Sequence, residues 1–194
     1  MEDKVRELCG YLKKQLKPAR FEHTMGVAYT AANMAMRYGE DVKRAFLAGV
    51  LHDNAKNVSD DDLLRFCEEN GIEVREIERT SKYLLHAKVG AYHVTNTFHI
   101  EDPEVASAVC YHTTGRPNMT LLEKIIFTAD YIEPNRRQIP GLDEVRKMVY
   151  VDLDQAVYMI TANTLSYLRE TKNDNNIDPM TLETYEFYKN LSEK

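Results

Sequence analysis

Apolar residues return every three or four positions along almost the whole chain, and strand-like alternation is nearly absent. That periodicity restricts the chain to helices packed on helices. Val5, Leu8, Leu12 and Leu16 share a stripe that Lys17-Pro18 stops. Phe21, Met25, Ala28, Ala32 and Ala35 form the next stripe, which ends near Tyr38-Gly39. A third helix runs from about Val42 to Leu51 and carries Leu51-His52-Asp53 at its C-terminal end. Ser59-Asp60-Asp61-Asp62 is an N-terminal helix signal, followed by Leu63, Leu64 and Phe66 and closed by Asn70-Gly71. Further helical patterns cover roughly 83–97, 103–111, 120–132, 152–169 and 179–189, with 133–141 the least regular piece. The expected fold class is all-α. No repeat, charge block or linker divides the 194 residues, so the expectation is a single domain over 1–194.

Composition narrows the setting. A hydrophobic share of 43% with 29% charged residues excludes wholesale disorder. The net charge of -6 argues against a nucleic-acid partner. No apolar run approaches membrane-spanning length, and the acidic, amphipathic N-terminus lacks the basic and apolar regions of a secretory signal. Cys9, Cys67 and Cys110 are odd in number and scattered, which suits reduced thiols in the cytoplasm.

The chemistry-bearing residues are histidines. His23, His52, His86 and His112 each fall on, or at the end of, an expected helix, and Asp53 follows His52 directly. Asp130 lies in the apolar run from Leu121 to Tyr131, where a lone carboxylate is costly unless paired or bound to a metal. Facing helices of a bundle can converge such side chains on an ion, and imidazole with carboxylate suits iron, zinc or manganese rather than calcium. On residue types and spacing alone, hydrogen-bonded core histidines remain an equal reading. His93 shares the helical face of His86 and is a rival to it, while His93 and His99 otherwise read as structural or solvent-facing.

The order His23, His52-Asp53, His86, His112, Asp130 resembles the HD-domain metal-dependent phosphohydrolases, and the two extra histidines resemble their two-metal branch. The flanking strings narrow this. Arg20-Phe21-Glu22-His23-Thr24-Met25-Gly26-Val27, Leu51-His52-Asp53-Asn54-Ala55-Lys56, Leu85-His86-Ala87, Tyr111-His112-Thr113-Thr114-Gly115-Arg116 and Ala129-Asp130-Tyr131-Ile132-Glu133-Pro134-Asn135-Arg136 look like the YqeK-type bacterial symmetrical dinucleoside tetraphosphatases. Asn54 departs from that pattern, which usually has an apolar residue there.

The resemblance implies an HD-domain-like helical bundle with its core motifs in 20–137 and C-terminal helices packed on it. It implies two divalent or mixed-valence metal ions, iron first, with zinc or manganese as alternatives. His23, His52, Asp53 and Asp130 would hold one ion; His86, His112 and a bridging Asp53 would hold the other. Asp53 has two oxygens and can bridge. Two ions so placed could share and activate a water, so no protein nucleophile is required. Asp53 and Lys56 are the expected catalytic residues. Arg20, Lys56, Thr113, Gly115, Arg116, Arg136 and Arg137 are the expected substrate contacts, because short segments tie them to the ligands. The implied reaction is cleavage of diadenosine tetraphosphate to two ADP. ADP or GDP is the implied product-like ligand, and a homodimer is compatible with the family. Two alternatives stand beside it: a broader HD-domain nucleotide phosphohydrolase or phosphodiesterase, and a non-catalytic nucleotide-binding regulatory module.

Overall fold

A computed structural model describes residues 2–171 and 177–193; the outermost residues of the expected 1–194 domain, Met1 and Lys194, lie outside it. Among the described residues every regular element is helical. In chain order they are α1 (Glu2–Gln15), α2 (Pro18–Tyr38), α3 (Val42–Leu51), α4 (Asp60–Glu69), α5 (Glu76–Thr80), α6 (Leu85–Tyr92), α7 (Pro103–Tyr111), α8 (Leu121–Ile132), α9 (Leu142–Met148), α10 (Leu153–Thr171) and α11 (Pro179–Ser192). No helix is long and apolar enough to cross a membrane among the described residues.

Local chemistry sets the boundaries. Pro18 occupies the first turn of α2, so Lys17-Pro18 opens the second helix as well as ending the first. The Asp41 carboxylate accepts the Arg44 N–H at 2.9 Å, and the Ser59 hydroxyl accepts the Asp62 N–H at 3.2 Å. Asp102 caps α7 through the Glu104 N–H at 3.0 Å, ahead of Pro103. Thr120 and Glu123 form a reciprocal capping box on α8.

The structure corrects the expected elements at three places. The helix expected over 83–97 is divided into a 3-10 turn (Lys82–Leu84), α6 and a π-helical turn (His93–Thr97). The short helices α5 and α9 were not expected. The stretch from Glu133 to Gly141 is non-helical, as its irregular sequence implies.

Helix α8 is central, with Leu122, Ile125, Ile126, Phe127 and Ala129 all buried. Around it one apolar cluster takes in Leu8 and Leu12 of α1, Val27 and Met34 of α2, and Ala156 and Ile160 of α10. Tyr188 of α11 joins it, its hydroxyl accepting the Met119 N–H at 3.0 Å. A smaller cluster of Ala55, Leu63, Cys67, Leu85 and Val89 joins α4 to α6. Helices α2 and α3 meet through small buried residues, Ala28, Ala31 and Ala35 against Ala45 and Ala48. Small side chains permit close approach, and the rings of His23 and His52 lie 5.3 Å apart, centre to centre.

Candidate metal centre

Helix ends deliver most of the site. His52 caps α3 and leads into Asp53, His112 caps α7, His86 is the second residue of α6, and Asp130 stands near the C-terminus of α8. His23 comes from within α2. The structure brings all six together. His23, His52 and Asp130 form one group, and Asp53, His86 and His112 form another. His52, Asp53, His86 and His112 are almost wholly buried, His23 is buried, and Asp130 is partly exposed.

Asp53 lies between the groups. Its Oδ2 is 3.4 Å from His52 Nε2 and 3.9 Å from His23 Nε2. Its Oδ1 is 3.3 Å from His86 Nε2 and 3.5 Å from His112 Nε2. Asp130 Oδ1 stands 3.0 Å from His23 Nε2 and 3.9 Å from His52 Nε2.

The imidazole tautomers follow from their outer contacts. His52 Nδ1 donates to the Gly49 carbonyl at 2.7 Å, His112 Nδ1 to the Val109 carbonyl at 2.7 Å, and His86 Nδ1 to the Tyr83 carbonyl. A carbonyl only accepts, so Nδ1 carries the proton and the neutral ring's Nε2 offers a lone pair inward. His86 Nε2 and His112 Nε2 then face each other at 3.2 Å as two acceptors. His23 Nε2, His52 Nε2 and Asp53 Oδ1 are buried without a hydrogen-bond partner. Inward-facing, unpartnered acceptors are costly in a protein interior, and a cation satisfies them. The donor set therefore fits metal ions.

Electrostatics agree. Burial opposes ionisation of Asp53, but the electrostatic effect of the surrounding histidines holds its carboxyl well below the usual range. Burial likewise works against Asp130, and the contact with His23 holds it low. Burial pushes His86 down to about 4, so the ring is neutral at ordinary pH.

Beside the first group lies a cleft of about 640 Å³. Lys17, Arg20, Lys56, Arg136 and Arg137 line it, against two acidic residues, Glu22 and Glu133. Arg20 Nη1 donates to Asp53 Oδ2 at 2.8 Å, and Arg136 Nη1 is 3.8 Å from Asp130 Oδ1. Lys56 Nζ lies 3.1 Å from His86 Nε2 and 4.0 Å from Asp53 Oδ1, and burial pushes its pKa down. The Thr113 hydroxyl is 3.1 Å from His112 Nε2.

Two expected substrate contacts lie elsewhere. Arg116 grips the buried Glu123 through Nε at 3.0 Å and Nη2 at 2.9 Å and lies over the Tyr111 ring, so this fork is committed inside the fold. Gly115 is buried with φ +64°, and a Cβ there would lie 2.7 Å from Thr184 Cγ2, so it serves the packing of α11. His93 does not compete with His86: its Nδ1 donates to Asn54 Oδ1 at 2.9 Å. Asn54 also donates to the Leu51 carbonyl at 2.8 Å and the Gly90 carbonyl at 3.0 Å, tying the turn after His52 to α6. Asn54 thus uses its polarity locally. Glu133, to which the sequence assigned no role, lies buried with Oε1 3.1 Å from His23 Nδ1.

The HD domain family matches residues 20–135. The symmetrical bis(5'-nucleosyl)-tetraphosphatase of Halalkalibacterium halodurans is 44% identical over 174 residues, covering 90% of this chain and 91% of that protein. The protein of the same name from Bacillus subtilis is 40% identical over 179 residues, covering 92% and 94%. The crystal structure of a predicted HD superfamily hydrolase involved in NAD metabolism, from Clostridium acetobutylicum, is similar with a TM-score of 0.90 at 36% identity, over 97% of both chains.

Proposed function

The chain belongs to the HD-domain family, and we infer that it is a metal-dependent hydrolase that splits diadenosine tetraphosphate symmetrically into two ADP. Asp53 carries the reading of the centre, because its two oxygens face two separate histidine groups. His23, His52, Asp130 and Asp53 Oδ2 would hold one ion; His86, His112 and Asp53 Oδ1 would hold the other. Four imidazoles with two carboxylates suit iron, zinc or manganese, and iron is our assignment. When bound, such a pair supplies a water-derived nucleophile near neutral pH and positive charge at the phosphoryl oxygens.

The remaining work falls to side chains in the cleft and to Thr113 beside His112. Arg20 and Arg136 stand beside Asp53 and Asp130, where a guanidinium can fork onto phosphate oxygens. Lys56 offers a compact charge at the same point, and its lowered pKa reflects the cost of holding that charge away from water. A phosphate oxygen there would repay that cost. Arg137, exposed on the cleft lining, would take an outer phosphate, and the Thr113 hydroxyl can donate to an oxygen beside His112. With the tetraphosphate centred, water adds to an inner phosphorus and the bond from that phosphorus to the central bridging oxygen breaks. That oxygen leaves on the second ADP.

Hydrolysis in oxygen-18 water tests the reading. Single turnover should give ADP alone, with label in half of it; equal ATP and AMP would overturn the symmetric assignment. Metal analysis of protein prepared without chelators tests iron. ADP or GDP as product-like inhibitors, a homodimer in sedimentation and a cytoplasmic location complete the proposal. The three scattered free cysteines support that location.

A further inference from the structure

His23 differs from the other three inward-facing histidines. His52 and His112 follow the last residues of α3 and α7, and each donates Nδ1–H to a carbonyl three residues back. The last carbonyls of a helix have no partner within it, so they are available. His86 lies at the junction of a 3-10 turn and α6 and uses the Tyr83 carbonyl in the same way. His23 is the sixth residue of the 21-residue α2, where the backbone carbonyls already accept within the helix. Its Nδ1 needs an acceptor from outside, and Glu133 Oε1 is 3.1 Å away.

The surroundings hold that carboxylate in place. Glu133 Oε2 accepts the Asn135 N–H at 2.7 Å. Arg146 donates to the Ile132 carbonyl at 3.1 Å and the Glu133 carbonyl at 3.0 Å, fixing the chain where α8 ends. Gly26, three residues after His23 on α2, clears the space: a Cβ there would lie 2.5 Å from Glu133 Oε2. We propose that Glu133 is the positioning residue for His23, its carboxylate accepting the Nδ1–H and so aiming Nε2 at Asp130, with Gly26 the residue that admits it. A carboxylate partner also makes the imidazole a stronger donor to a metal than a carbonyl partner does. The consequence for ion binding rests on the metal-centre reading above. It falls on the ion shared by His23, His52 and Asp130.

Two variants test this. Glu133→Gln keeps shape but has one acceptor oxygen where the site uses two. Gly26→Ala leaves every polar group present and improves helix propensity, yet displaces the carboxylate. Titration with Mn(II) alone, read by electron paramagnetic resonance, should show two bound ions in the parent. In both variants one affinity should fall about 10–100-fold, the loss typical for an outer partner of a ligating histidine, while the other holds. Nitrogen-15 spectra of the metal-free parent should show His23 protonated on Nδ1, and Glu133→Gln should alter that signal. Unchanged affinities in both variants, or parent His23 protonated on Nε2 but not on Nδ1, would overturn the proposal. A parent that binds no Mn(II) would sink the metal-centre reading, and the nitrogen-15 measurement would still decide the role of Glu133.

Discussion

Replacing Arg116 separates two roles for one side chain. The expected role grips phosphate; the structure shows a fork on Glu123, whose side chain is 0% exposed. Arg116→Met keeps the apolar stem over Tyr111 and removes the guanidinium. Stranding one member of a buried ion pair costs about 3–5 kcal/mol. Glu123 retains the Ser107 hydroxyl and the Thr120 N–H, and the Arg116 side chain is itself 31% exposed, so water already screens part of the pair. The discounted cost is about 2 kcal/mol. In a chain of this length that lowers the melting temperature by about 4–8 °C. The assay is urea and thermal unfolding in excess EDTA, so that ion binding does not contribute. Arg116→Lys, which keeps the charge and loses the fork, should lose about half as much. Unchanged stability in Arg116→Met, with a raised KM for diadenosine tetraphosphate, would refute the structural role and restore the phosphate contact.

Asp53→Asn should strip both ions, since it weakens the oxygen facing each group, whereas His112→Ala should leave close to one; plasma mass spectrometry of desalted protein reads both. Arg20→Ala and Arg136→Ala should each raise KM about tenfold, the lower end for a charged hydrogen bond, with a weaker salt dependence of KM. Glu78 is buried; burial raises its pKa, but hydrogen bonds from Arg75 and Lys88 hold it below the usual range. A depressed folded pKa gives stability that is full above the unfolded value of about 4.3 and is lost as pH falls through the folded value. Glu78→Gln should therefore be less stable than the parent at neutral pH and lose less between pH 5 and pH 3 in urea titrations.

The long helices were legible because each needs an apolar stripe, and a stripe is visible in one sequence. Helix α5 has five residues and no stripe. It is anchored by Arg75, which forks onto Asp178 at 3.0 and 2.6 Å from the far end of the chain. No local pattern announces such a contact. The division of 83–97 was hidden for a related reason. Apolar spacing continues through it, while the hydrogen bond from His93 to Asn54 reaches the turn after α3.

The clustered histidines and aspartates were legible through their order and neighbours, but sequence adjacency says nothing about direction. Arg136, six residues after Asp130, enters the cleft; Arg116, four residues after His112, leaves it. Glu123 accounts for the difference. As the third residue of α8 it caps the Thr120 N–H, which forces its carboxylate against an apolar helix where an unpaired charge is costly. Such an acid takes the nearest cation that the backbone can supply, and the turn after His112 supplies Arg116. The Thr-x-x-Glu box before an apolar run was visible in the sequence, and its glutamate claims a neighbouring arginine more strongly than adjacency to a ligand does. His23 and Glu133 carry the same logic inward: an imidazole on a helix interior has no spare carbonyl, so a carboxylate must reach it from another element.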